Sequence, residues 1–134
     1  MLSAIRNIDY VILLCDDVER MKHFYHEVME FPIHRDQPGW IEMNVGSVLL
    51  TLRERGRSYD GPKATGGAGV QLAFRVAPSE VETCYRELLQ KGVAILQEPR
   101  DLDYGHRTLF FNDPEGNILE IFADLDAKST EQEE

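Results

Sequence analysis

Cysteine is scarce in this chain: 134 residues contain two, Cys15 and Cys84, in no CxxC or similar ligand spacing. That excludes a disulfide framework. Both fall on apolar positions of expected elements and read as buried, reduced thiols of a reducing compartment. Long hydrophobic runs are missing too, and segments such as Val48-Leu49-Leu50 are far too short to cross a bilayer. The opening MLSAIRNIDYVILLCDD lacks the basic region, apolar stretch and small-residue cleavage site of a signal peptide. It reads as a first strand, so the expected location is cytoplasmic. Positive charge is the third shortage. Fourteen Lys and Arg against 24 Asp and Glu leave a net charge of −10, of which the last eleven residues carry −4 and the rest of the chain −6. A surface of that sign excludes nucleic acid and an anionic membrane as expected partners, and permits a cationic ligand. Nor is there a P-loop, GxGxxG, nucleophile elbow or HExxH.

What is present is a pattern written twice. Residues Ile8 to Cys15 are apolar and β-rich. Asp16 and Glu19 then have capping-box spacing, and Val18, Met21, Tyr25 and Val28 recur as the stripe of an amphipathic helix. Strands are expected around 31–35, 40–45 and 47–53, punctuated by Pro38-Gly39 and Gly46. The stretch 54–68 (ERGRSYDGPKATGGA) has no apolar period and reads as a loop or linker. The order then repeats. A strand at 70–76 leads to a Ser79/Glu82 capping box and a helical stripe of Val81, Cys84 or Tyr85, and Leu88, stopped at Gly92. Strands follow around 93–96, 106–111 and 117–122. Gly46-Ser47-Val48-Leu49-Leu50-Thr51-Leu52 aligns with Gly116-Asn117-Ile118-Leu119-Glu120-Ile121-Phe122 at an offset of 70. The expected fold is α+β: two tandem βαβββ units (5–56 and 69–125) forming a curled mixed-sheet cup with helices outside. A linker at 57–68 joins them and a disordered acidic tail occupies 126–134. A single unit of this kind leaves one sheet face uncovered, so two are needed to bury a core.

The duplicated unit, with IDYVILLCDDVERMKHFY at the front and FFNDPEGNILEIF at the back, resembles the vicinal oxygen chelate superfamily. That group includes glyoxalase I, extradiol dioxygenases, fosfomycin-modifying enzymes and bleomycin-resistance proteins. The resemblance spans 5–125 and implies a small-molecule pocket, commonly in a homodimer. In metal-using members it also implies a divalent ion held by His, Glu or Gln from the first and last strands of each unit. Carried over by position, those ligands fall on Tyr10, near Leu50, on Gln71 and on Glu120. Only Glu120 matches, Gln71 is a substitute, and Tyr10 and Leu50 are poor donors. The expectation is therefore no metal cofactor. If a divalent metal is bound, Gln71, Glu120 and Tyr10 would hold it.

Glu120 interrupts the apolar run Ile118-Leu119-Glu120-Ile121-Phe122, which is costly unless the carboxylate faces a wet cavity or a partner. It is the candidate catalytic residue, with an ordinary strand whose polar side meets solvent as the alternative. Strand alternation places Phe110, Thr108 and His106 on its side. His106 is either a ligand-gating group or an exposed loop residue, and Trp40 either a stacking wall for a planar ligand or core. With Tyr10 and Gln71 these make the expected ligand-binding set. His23 and His26, three apart on the first helix, read as surface residues, and His34 has no partner in sequence. Two functions follow: a metal-independent protein that sequesters or acts on a small metabolite or antibiotic, or a metal-dependent lyase, isomerase or dioxygenase.

Overall fold

The structure, a computed structural model, describes residues 1–61, 69–103 and 105–125. The end of the expected linker, Tyr104 and the expected tail at 126–134 lie outside the described residues. Contacts group the chain into two compact units, Met1–Lys63 and Ala64–Glu134. Among the described residues no helix is long and apolar enough to cross a membrane.

In the first unit, β1 (Tyr10–Cys15) leads to α1 (Val18–Lys22), which runs on as a π-helical turn over His23–Val28. Strands β2 (Ile33–Gln37), β3 (Trp40–Val45) and β4 (Val48–Glu54) follow. They form a four-stranded sheet of order β1-β4-β3-β2, with β1 parallel to β4 and the other pairs antiparallel. The second unit repeats this with β5 (Gln71–Arg75), α2 (Val81–Gln90), β6 (Ile95–Leu102), β7 (His106–Asn112) and β8 (Ile118–Asp124). Its sheet has the order β5-β8-β7-β6, with β5 parallel to β8. The fold is α+β, two βαβββ units each with an open mixed sheet, as the repeat predicts.

Period-two alternation gives each sheet one apolar face. In the first unit Leu13, Cys15, Ile41, Met43, Leu50 and Leu52 are buried, together with Met21, Phe24 and Tyr25 from the helical segment. Tyr25 meets Phe24 edge-on at 5.1 Å between ring centroids and stacks on Phe31 at 6.3 Å. In the second unit the buried set is Leu109, Phe111, Leu119, Ile121 and Ala123, with Val81 and Leu88 from α2. Each large side chain so buried stabilises the fold by about 1.5–3 kcal/mol. The other face of each sheet, turned from its helix, is here called the open face.

Four local expectations are corrected. The cap of α1 is Asp17, whose side chain accepts from Arg20 N at 3.1 Å, because the Asp16 carboxylate is held by Arg55 Nε at 3.2 Å. The helical stripe takes in Phe24, because the π-helical turn shifts the angular phase. Ser79 caps nothing. Pro78–Glu80 forms a 3-10 turn, α2 starts after Glu80 without a side-chain cap, and the Glu82 carboxylate is drawn instead to Arg107 on β7, 2.9 Å from Nε. The strand expected at 93–96 runs from Ile95 to Leu102, with register shifts between Ile95 and Gln97 and between Gln97 and Arg100 that accommodate Pro99. Gly92 does end α2, at φ 79°, with Val93 N bonded to Leu88 O at 3.0 Å.

Candidate functional site

Residues directly opposite one another in a sheet share a face. The second unit's register pairs Ala73 with Glu120, Glu120 with Phe110, and Phe110 with Gln97. One rung of the open face therefore runs Ala73, Glu120, Phe110, Gln97 across β5-β8-β7-β6. The next rung runs Arg75, Phe122, Thr108, Arg100. Gln71 and His106 lie on the same face. Five of the seven expected site residues, Gln71, His106, Thr108, Phe110 and Glu120, are thus together on one surface.

At its centre Glu120 is 7% exposed. Its Oε1 accepts a hydrogen bond from Gln71 Nε2 at 3.3 Å, across the β5–β8 pair. Gln71 itself is exposed, so this side of the carboxylate opens outward. Burying an ionised carboxylate is costly without a paired cation, and among the described residues Glu120 has only this neutral amide. Thr108 is fully buried, and its Oγ1 has no hydrogen-bond partner among the described residues; the same is true of Gln97 Nε2. Phe110 is half-buried. At the far end the His106 ring stacks on Phe122 at 4.7 Å, and its Nε2 lies 3.0 Å from Asp124 Oδ1. Asp124 Oδ2 also accepts from Arg75, whose guanidinium sits 4.7 Å over the Phe122 ring. His106 is therefore tied into a strand-end network rather than an exposed loop.

Tyr10 and Trp40 belong to the first unit, on the open face at opposite ends of its sheet: Tyr10 is opposite Leu49 and Trp40 opposite Arg53. Trp40 is half-buried and is not core. Its Nε1 donates to Glu42 Oε2 at 2.8 Å, and Arg57 lies over its ring at 6.0 Å. Glu42, 5% exposed, is a second buried carboxylate that sequence reasoning missed. His34 Nε2 lies 3.9 Å and Arg35 Nε 4.0 Å from its Oε1. The signal was available: Glu42 interrupts Trp40-Ile41-Glu42-Met43 just as Glu120 interrupts its own strand. His34 does have a partner, supplied by the β2–β3 pairing. On the helix, His23 is exposed, whereas His26 is half-buried with Nδ1 2.8 Å from Phe31 O.

The same face is edged by a built loop. Asp60 accepts from Arg53 Nη2 at 2.6 Å and Nη1 at 3.1 Å, and from the backbone N–H groups of Gly56 and Arg57 at 2.9 and 2.7 Å. The Arg53 guanidinium, followed by these backbone N–H groups, holds the Asp60 carboxyl well below the usual carboxylate range.

The register also corrects the offset of 70. Tyr10 opens β1 opposite Leu49, and Gln71 opens β5 opposite Ile118, so Leu49 corresponds to Ile118 and Thr51 to Glu120. Leu50 is 2% exposed on the core face. The slip arises because the β3–β4 hairpin turns on Gly46-Ser47 whereas the β7–β8 connection spans 113–117, and a one-residue slip moves a side chain to the other face. The longer connection is held by Asp113, which accepts from Glu115 N and Asn117 N at 2.9 and 3.0 Å.

For the divalent ion that the resemblance implies, the positions now read Tyr10, Thr51, Gln71 and Glu120. Among the described residues no three His, Cys, Asp or Glu side chains converge. A transition-metal site needs three or four good donors, and this set does not fit one.

Comparisons with known proteins agree with the topology. Among solved structures, a glyoxalase/bleomycin resistance protein/dioxygenase from Nocardioides superposes with a TM-score of 0.79 at 24% identity, over 92% of this chain and 86% of that one. A lactoylglutathione lyase from Agrobacterium tumefaciens gives 0.71 at 18% identity, over 87% and 92%. TioX from Micromonospora sp. ML1 gives 0.72 at 23%, over 90% and 100%. At these identities the likeness is one of fold. No curated protein sequence matches the chain. A family model does, over residues 7–121, a span that reaches from before β1 into β8 and includes Glu120, and by that match the chain belongs to the Glyoxalase/Bleomycin resistance protein/Dioxygenase superfamily.

Proposed function

We propose that this protein binds a cationic small molecule on the open face of the second unit without the help of a divalent metal, either sequestering it or acting on it. One observation carries the reading: Glu120 is a buried carboxylate whose one partner among the described residues is the neutral amide of Gln71. A ligand ammonium or amidinium supplies the missing counter-charge. Phe110, on the adjacent strand, offers a half-buried ring for the body of the ligand. The excess of acidic residues favours the approach of a cation. If the bound molecule is turned over, Glu120 accepts a proton from it. A cytoplasmic homodimer is part of this proposal.

The metal-dependent alternative, a lyase, isomerase or dioxygenase, draws support from the adjacency of Gln71 and Glu120, two oxygen donors on neighbouring strands. Metal stoichiometry separates the two readings. The purified protein is stripped, exposed in turn to Ni²⁺, Zn²⁺, Mn²⁺ and Fe²⁺, freed of excess ion and analysed for bound metal. Retention near background is the expected result. About one tightly held ion per chain, lost in Glu120→Gln, would overturn the metal-free reading.

A further inference from the structure

Burying a hydroxyl or an amide N–H without a partner is unfavourable, and native structures leave few such groups. Thr108 Oγ1 and Gln97 Nε2 are both in that condition, and the register puts both on the face that carries Glu120. They sit beyond Phe110 as seen from the carboxylate. Glu120 is opposite Phe110 on one side and Gln97 is opposite it on the other, while Thr108 is two residues along β7 from Phe110. Arg100, exposed, is opposite Thr108 on β6. The half-buried ring therefore lies between a negative end and an end made of an amide donor, a hydroxyl and a guanidinium.

We infer that the β6–β7 side of this face is the anion-accepting end of the same site, and that the ligand is an aromatic zwitterion. Its ammonium lies toward Glu120, its ring against Phe110, and its carboxylate toward Gln97, Thr108 and Arg100. Gln97 Nε2 and Arg100 donate to the carboxylate; Thr108 donates to it directly or through an ordered water. Strands β8 and β6 are two spacings apart, about 10 Å at the backbone, which suits a molecule of dipeptide length better than a single amino acid. This rests on Glu120 being the cation's partner, and extends it to the other half of the ligand.

The test uses three probes on the full chain, with calorimetry for affinity and side-chain amide NMR signals for location. Phenylalanylglycine carries both charges, phenethylamine lacks the carboxylate, and N-acetylphenylalanylglycine lacks the ammonium. The dipeptide is expected to bind about tenfold or more tighter than either truncated probe and to shift the Gln97 side-chain amide resonances. In Gln97→Leu the dipeptide's advantage over phenethylamine should vanish. Thr108→Val supplies a ligand-free readout: removing an unsatisfied buried hydroxyl should raise the melting temperature by a few degrees. Phenethylamine binding that depends on Glu120, with no gain from the added carboxylate and no effect of Gln97→Leu, would overturn this inference and leave the proposed cation site standing. Failure of both the dipeptide and phenethylamine to bind wild-type protein at millimolar concentration would overturn both. A fall in melting temperature for Thr108→Val would show that the hydroxyl serves the fold, and would remove Thr108 from the site.

Discussion

Gln71 Nε2 donates to Glu120 Oε1 at 3.3 Å, from the first residue of one strand to the third of its parallel neighbour. A neutral amide orients a buried carboxylate but does not balance its charge. Glu120→Gln should therefore stabilise the ligand-free protein, raising its melting temperature by a few degrees in differential scanning fluorimetry. The same variant should lose binding of an aryl ammonium probe by about tenfold or more in calorimetry. Loss of stability in the ligand-free variant would mean that the chain itself satisfies the charge.

Asp60 gives a prediction in pH. Arg53 holds its carboxyl well below the usual range, so the folded state binds that proton more weakly than the unfolded chain. The stability it contributes is complete above the ordinary carboxylate value of 3.8 and is lost as pH falls through and below it. Between pH 7 and pH 3, the melting temperature of wild type should fall more steeply than that of Asp60→Asn. Parallel curves for the two proteins would refute the assignment.

Gly92 ends α2 at φ 79°, and a Cβ there would meet nothing within 4 Å. The cost of Gly92→Ala is therefore conformational rather than steric, about 1 kcal/mol. Chemical denaturation should show an unchanged m-value and a lower midpoint.

Leu50 and Thr51 test the register. Leu50→Ala removes a core side chain and should cost about 2–5 kcal/mol in urea denaturation. Thr51 is the open-face residue, and Thr51→Val, with Glu42 opposite on β3, should leave the fold near wild type. Reversed sensitivities would restore the offset of 70.

Both βαβββ units are legible in the sequence because most of their helices and strands carry an apolar period and several of the turns carry glycine. Glu120 was legible for the opposite reason, since a charge in an apolar strand breaks that periodicity. Glu42 obeys the same rule, but it lies on the third strand of its unit, whereas the positional resemblance points to the first and last. Helix starts were less readable. Asp16 and Ser79 have capping sequences, but Arg55 claims the Asp16 carboxylate, and Arg107 claims Glu82, the other half of the Ser79 box. Those guanidiniums come from residues 39 and 25 positions away in the chain, a competition that no local pattern displays. Face assignment on β4 failed through one loop-length difference, which moves every side chain it touches to the other side of the sheet.

The bulged strand β6 has a consequence for how this molecule meets others. An edge strand offers its unpaired N–H and C=O groups as a template for another chain. With two register breaks and Pro99 among its eight residues, β6 cannot present an evenly spaced row of them. Strand β2, the outer edge of the other unit, carries a break as well, between Ile33 and Arg35. Each sheet is thus blunted along the edge farthest from its parallel pair, and strand-by-strand growth into an aggregate finds no regular starting row on that side of either unit.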